Sequence, residues 1–160
     1  MSLILGLDPG KDKFGWALVA LDGGLRASGI SPTVLAGEVA SALLAGDLQK
    51  LSPFLLERPG EIFARESPSL VLLGNGTARK ALIEILASME QPFELVDESN
   101  TTLEARPLYW RLHPPRGFAR FFPQSLRVPA RPVDDLAAWA LVLRFLSRKS
   151  GPFPTLPAIP

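Results

Sequence analysis

The sequence has 160 residues, of which 47% are hydrophobic and 21% are charged, and its formal net charge is +1. This length and composition predict one globular domain with a substantial core, and they exclude a chain that is disordered throughout. Cysteine is absent, which excludes disulfides and thiolate chemistry; with neither a membrane-length apolar run nor a basic secretory leader, we expect a cytoplasmic protein with no membrane partner.

The chain is predicted to open with an antiparallel meander of three strands. Residues 3–7 form an apolar run that stops at Asp8-Pro9-Gly10, and residues 13–21 are the second strand candidate. The turn chemistry of Asp22-Gly23-Gly24 then leads into a third, shorter strand over residues 25–30.

Helices and strands are predicted to alternate after the meander. Residues 34–65 have an interrupted helical pattern with at least one helix. Residues 69–74 are a buried strand, and Gly74-Asn75-Gly76 leads from it to Thr77, the expected N-cap of the next helix. Residues 93–96 are the fifth strand.

Two more helices complete the prediction. One is capped by Ser99 or Thr101 and ends at Pro114-Pro115, and the other opens at Asp134-Asp135 after a proline-rich, irregular stretch over residues 114–132.

The predicted fold is therefore α/β, with a five-stranded mixed sheet flanked by helices. We expect one domain over residues 1–150 and a proline-rich tail, residues 151–160, that is extended or disordered.

Three acidic positions, Asp8, Asp97 and Asp134, fall at the ends of predicted elements. If the first strand is central, these ends converge at one point. Carboxylate oxygens are ligands that Mg²⁺ and Mn²⁺ prefer, and two such ions about 4 Å apart can drive phosphodiester hydrolysis. Each acid also has a structural alternative, because an aspartate before Pro-Gly makes turns and one at a helix start caps the helix.

Three motifs, in order, resemble those of the YqgF/RuvX and RuvC nucleases. The first is Asp8-Pro9-Gly10 followed by Gly15-Trp16-Ala17. The second is the most specific and runs Asp97-Glu98-Ser99-Asn100-Thr101-Thr102-Leu103-Glu104-Ala105-Arg106. The third, Val133-Asp134-Asp135-Leu136-Ala137-Ala138, is similar to the start of the family's closing helix.

The resemblance implies an RNase H-like fold and a nuclease that uses Mg²⁺ or Mn²⁺ to process ribosomal RNA precursors or to resolve Holliday junctions. Carried over by motif, the catalytic metal ligands would be Asp8, Asp97 and Asp134. Glu98 and Asp135 would be the near alternatives.

The chain departs from the family at three places, which keeps other functions open. Ser99 stands where arginine is usual, and no acid ends the fourth strand, where RuvC has a glutamate. The loop after that strand, Gly74-Asn75-Gly76-Thr77, is also shorter than the family's usual glycine-leucine-proline loop. The second hypothesis is therefore a non-catalytic nucleic-acid-binding or assembly protein of the same fold. A weaker third is a protein-binding module that uses the tail. The protein is expected to be a monomer or a homodimer.

Between Arg106 and Val133 the sequence has six arginines and no acidic residue. Arginine binds phosphate through its bidentate fork, and the interleaved rings can stack unpaired bases. Most phenylalanine and tryptophan rings are nevertheless expected in the core, and the lone His113 is expected at the surface or a helix end. The predicted nucleic-acid contacts are Lys11, Lys13, Arg106, Arg111, Arg116 and Arg120.

A weaker phosphate-binding candidate is Gly74-Asn75-Gly76-Thr77. Glycines that lead into a helix N-terminus expose backbone N–H groups to an anion. Ordinary turn chemistry explains the same residues at least as well.

Overall fold

The fold begins with three consecutive strands, which are followed by helices and further strands. The computed structural model describes residues 2–60, 66–97, 99, 101–123 and 127–150. Its strands are β1 (Leu3–Asp8), β2 (Lys13–Ala20), β3 (Leu25–Pro32), β4 (Leu55–Glu57), β5 (Pro68–Gly74) and β6 (Glu94–Val96). Its α-helices are α1 (Ala36–Ala45), α2 (Leu48–Leu51), α3 (Lys80–Ser88), α4 (Thr101–Leu112) and α5 (Asp134–Ser150).

A single mixed sheet has the strand order β4-β3-β2-β1-β5-β6. β1, β2, β3 and β4 pair antiparallel in succession, and β5 and β6 add in parallel on the other side of β1. The predicted meander and mixed sheet are confirmed. Because β1, β5 and β6 run in the same direction, their carboxyl ends lie at one edge of the sheet.

The sheet has one strand more than predicted. β4 is only three residues long, and it pairs with β3 through Ser28 and Gly29. A run of three residues between Pro53 and Pro59 is too short to show a two-residue alternation. This strand therefore depends on its tertiary contact with β3 rather than on a local pattern.

Helices cover both faces of the sheet. Side chains alternate between faces along a strand, so that Leu5 of β1 packs with α1 and α3, whereas Ile4 packs with α4 and α5. The large core residues Trp16 and Trp139 lie on opposite faces. The result is a three-layer arrangement with β1 in its centre.

α5 is buried around most of its circumference. Every residue from Leu136 to Leu143 is buried, whereas a surface helix buries one face. The reason is that α5 packs against β1 and β2 on one side and against α4 on the other. Close approach to the sheet needs Gly6, where a built Cβ would lie 2.6 Å from the backbone oxygen of Ala138.

The start of α3 differs from the prediction. Its N-cap residue is Arg79, so the Thr77 cap is wrong. A turn intervenes, in which Arg79 Nη1 donates to the carbonyl oxygens of Asn75 (2.7 Å) and Gly76 (3.2 Å).

No helix in the described ranges is long and apolar enough to cross a membrane. The tail, residues 151–160, lies outside the described residues.

Candidate functional site

Gly15 brings the first and last acidic motifs together. Asp8 pairs with Gly15 across the β1–β2 ladder, and cross-strand partners have Cα atoms about 4.5–5.5 Å apart and share a face of the sheet. A Cβ built on Gly15 would lie 2.0 Å from the backbone oxygen of Asp134. The start of α5 therefore rests on Gly15, directly beside Asp8.

The loop after Asp8 is fixed to the end of β3. Thr33 Oγ1 donates to the carbonyl oxygen of Gly10 at 2.9 Å, and Thr33 N donates to that of Asp12 at 2.9 Å. These bonds fix the loop between β1 and β2, in which Lys11 is exposed. The partly buried Asp8 precedes this loop at the carboxyl end of β1.

Asp134 and Asp135 are neighbours with different environments. Asp134 Oδ2 lies 3.3 Å from Lys13 Nζ, and 37% of the Asp134 side chain is exposed. Asp135 is fully buried; it accepts hydrogen bonds from Arg131 at 2.8 and 3.2 Å and from Ser28 Oγ at 2.6 Å. Asp134 is therefore the acid that an ion or substrate can reach.

Asp97 lies at the same edge but is turned to other partners. Its Oδ1 accepts hydrogen bonds from Ser99 Oγ (2.7 Å) and Ser99 N (3.0 Å), which lower the pKa of Asp97 below its ordinary value. Its carbonyl oxygen accepts from Arg144 Nη1 at 2.5 Å. Arg144 is ten residues, about 15 Å, along α5 from Asp134, so the Asp97 backbone is bonded to a later part of α5 than its start.

The structure therefore brings the backbones of two of the three predicted acids, Asp8 and Asp134, to Gly15. No group of three metal-ligating side chains occurs within the described ranges, and Glu98 lies outside them. Mg²⁺ is commonly held by one or two carboxylates plus waters and substrate phosphates. The pair of Asp8 and Asp134 fits one hard cation of this kind, whereas a two-ion site needs a further ligand.

A polar network around Glu57 was not predicted from the sequence. Glu57 of β4 accepts from Arg131 Nη2 at 3.0 Å and is hydrogen-bonded to His113 Nε2. Burial acts to lower the pKa of Arg131, but hydrogen bonds and charges of Asp135 and Glu57 outweigh burial and raise this pKa above its ordinary value. Two residues of the arginine-rich segment, His113 and Arg131, are thus anchored at one carboxylate.

The structure divides the six arginines into two groups. Arg131 is used in the network, and Arg127 donates from Nε to the carbonyl oxygen of Phe122 at 3.0 Å while lying 5.6 Å from the Trp110 ring centroid. The other four are exposed, and they are the predicted nucleic-acid contacts Arg106, Arg111, Arg116 and Arg120.

Three phenylalanines depart from the expected burial of the rings. Phe118, Phe121 and Phe122 are 85%, 72% and 54% exposed. They lie in or next to the 3₁₀ turn Gly117–Phe121. The sequence here has no helical or strand periodicity from which buried and exposed side chains could be predicted. In contrast, Phe14, Trp16 and Trp139 are core residues, as expected.

The glycines after β5 do not lead directly into a helix. Asn75 N donates to the carbonyl oxygen of Val96 at 3.0 Å, and α3 begins only at Lys80, three residues after Thr77. Turn chemistry accounts for these residues. The phosphate site predicted at residues 74–77 loses its basis, because these residues do not form the N-terminus of α3.

The comparisons with known proteins relate the chain to others by structure. No family model and no curated protein matches it. The structure of Thermus thermophilus RuvC matches with 13% identity and a TM-score of 0.50, over 92% of this chain and 96% of that chain. The chain has an RNase H-like fold. The predicted fold class is thereby confirmed.

A second RNase H-like structure, "T. thermophilus RuvC in complex with Holliday junction substrate", matches with 15% identity and a TM-score of 0.49, over 97% of this chain and 100% of that chain. Membership of the YqgF/RuvX family stays a prediction from the motifs.

Proposed function

We propose that this protein is a divalent-metal-dependent nuclease that hydrolyses phosphodiester bonds in structured RNA or branched DNA. The observation that carries the proposal is the convergence of Asp8 and Asp134 on Gly15. The form of the motif at Asp97 to Arg106 favours a ribosomal RNA precursor over a DNA junction as the substrate.

In this proposal Asp8 and Asp134 would hold one Mg²⁺ or Mn²⁺ ion. Such an ion, when bound, polarises a phosphoryl oxygen and lowers the pKa of a bound water. Lys13, 3.3 Å from Asp134, and the exposed Lys11 would attract the phosphate to this edge. Asp97, whose pKa is lowered, stays ionised and adds negative charge there; together with Glu98 it is the candidate for a second ion.

The backbone on either side of the scissile bond would be held by Arg106, Arg111 and Arg116. Arginine suits this role because its charge is permanent and its donors match a phosphate geometrically.

The test is cleavage of a labelled four-way DNA junction and of a labelled structured RNA, with Mn²⁺, Mg²⁺ or EDTA. We expect metal-dependent cleavage that is abolished in Asp8→Asn and Asp134→Asn. The matched control is Asp12→Asn, since Asp12 is an exposed acid of the same loop. Equal cleavage by the wild type and Asp8→Asn would overturn the proposal.

A non-catalytic nucleic-acid-binding protein is the second candidate. It is favoured by the ion pair of Lys13 with Asp134, because this lysine can neutralise the acid without a metal, and by the lack of a three-carboxylate group within the described residues. Binding of RNA or DNA in EDTA with no cleavage in any divalent metal would support this candidate.

A further inference from the structure

The exposed rings and two exposed arginines lie within seven consecutive residues, which we call the Phe118–Phe122 surface. It consists of Phe118, Phe121 and Phe122 with the exposed Arg116 and Arg120. The Arg120 guanidinium already lies over the Phe121 ring, 4.9 Å from its centroid. Planar groups therefore stack at this surface within the protein itself.

The exposure of these rings is unusual for phenylalanine. Each ring can bury about 150–250 Å² of surface, and contiguous exposed apolar patches of a few hundred Å² mark interaction sites. Leaving three rings in water within five residues is costly unless a partner covers them.

The surface is tied to the body of the protein on both sides. On one side, His113 is hydrogen-bonded to Glu57. On the other, Arg131 binds both Glu57 and Asp135, and Asp135 is the residue after Asp134. Anchoring both flanks limits the conformations of the segment between them and so lowers the ordering cost of binding.

Charge decides which partner fits. The segment from Arg106 to Val133 contains six arginines and no acid, so a second copy docked through the same surface would oppose like charges. An anionic partner with flat, accessible groups satisfies both the arginines and the rings. A duplex keeps its bases stacked inside, whereas an unpaired strand exposes them to aromatic rings.

We propose that the Phe118–Phe122 surface binds an unpaired nucleic-acid strand, whose bases stack on Phe118, Phe121 and Phe122 and whose phosphates contact Arg116 and Arg120. The inference rests on the proposed nucleic-acid substrate but not on its cleavage. It narrows the substrate class to RNA or DNA with an unpaired stretch beside the scissile bond.

The experiment measures binding in EDTA, where no metal-dependent cleavage takes place. The probes are fluorescent 15-nucleotide oligo(dT) and oligo(U), a blunt DNA duplex, and anionic phospholipid vesicles. We expect Phe118→Ala and Phe121→Ala each to weaken oligonucleotide binding about 5- to 100-fold, with duplex binding unchanged. Phe121→Tyr keeps a ring and should bind as the wild type does.

Two controls separate stacking from charge and from exposed apolar area in general. Arg120→Ala should lower the slope of log K against log salt by about 0.7, whereas Phe118→Ala should leave the slope unchanged. Val34→Ala removes another side chain that is 91% exposed, outside this surface, and should bind as the wild type does.

Each outcome separates this inference from the proposed function. Wild-type oligonucleotide binding by Phe118→Ala and Phe121→Ala overturns the inference, and so does a preference of the wild type for the duplex or the vesicles. Neither result touches the cleavage assay with Asp8→Asn. Conversely, selective loss of oligonucleotide binding in both phenylalanine variants supports the inference even if no metal gives cleavage.

Discussion

At the scale of single residues, two adjacent acids show how burial assigns roles. Asp135 is buried and bonded to Arg131 and Ser28, and removing one partner of a buried charge pair costs about 3–5 kcal/mol. Asp134 faces solvent in a bridge with Lys13, and exposed pairs contribute only about 0–1 kcal/mol. The folded state therefore depends little on the Asp134 side chain, which can bind an ion or a substrate instead.

Ser99 controls the ionisation of Asp97, which gives a pH prediction. Its two hydrogen bonds lower the Asp97 pKa from the ordinary value of 3.8. Above that value the ionised form stabilises the folded state, and this stabilisation is lost as the pH falls through the lowered pKa. Ser99→Ala should raise the Asp97 pKa towards 3.8, as measured by carboxyl-carbon NMR titration.

The control for this titration is Ser41→Ala, which removes an exposed serine of α1 and should leave the Asp97 pKa unchanged. An unaltered Asp97 pKa in Ser99→Ala would show that the hydrogen bond from the Ser99 hydroxyl does not set it.

At the scale of elements, the seating of α5 on β2 depends on a missing side chain. Gly15→Ala places a Cβ 2.0 Å from the Asp134 backbone oxygen and must displace the α5 start. We expect a loss of about 1–3 kcal/mol in the free energy of unfolding, measured in urea, and weaker Mn²⁺ binding, measured by calorimetry.

The matched glycine control is Gly37→Ala in α1, where a built Cβ meets nothing within 4 Å. This change should leave Mn²⁺ binding unaltered and be neutral or stabilising by up to about 1 kcal/mol. Equal Mn²⁺ affinity in Gly15→Ala and the wild type would contradict the role given to the α5 start.

The position of the arginine-rich segment depends on the Glu57 carboxylate of β4. Glu57→Gln removes the charge that holds His113 and Arg131. A lost charge-assisted contact of about 1–3 kcal/mol raises the open population of the segment roughly 5- to 100-fold. Brief trypsin digestion should therefore cut faster after the exposed Arg116 and Arg120, as followed by mass spectrometry.

The control for digestion is Glu94→Gln on β6, since Glu94 is an exposed acid on the strand at the opposite edge of the sheet from β4. If Glu57→Gln is cut no faster than Glu94→Gln, then Glu57 is not the anchor.

At the scale of the whole molecule, regular patterns were readable and long-range contacts were not. The meander follows from two apolar runs and the turn at Asp22-Gly23-Gly24, and the approach of Asp8 to the last helix follows from a central first strand. In the Glu57 network, Glu57 is 56 positions from His113 and 74 positions from Arg131. A local hydrophobic pattern cannot predict contacts over such separations. The exposed rings lie in a proline-rich stretch, which has no period either.

The two outer strands of the sheet, β4 and β6, have three residues each. An unpaired outer strand is a template on which another chain can add, and natural proteins keep such templates short to avoid fibrils and edge-to-edge aggregation. At about 3.3 Å per residue, each template here is only about 10 Å long. The two outer strands themselves thus offer little template for amyloid-like growth, while four arginines of the arginine-rich segment remain exposed.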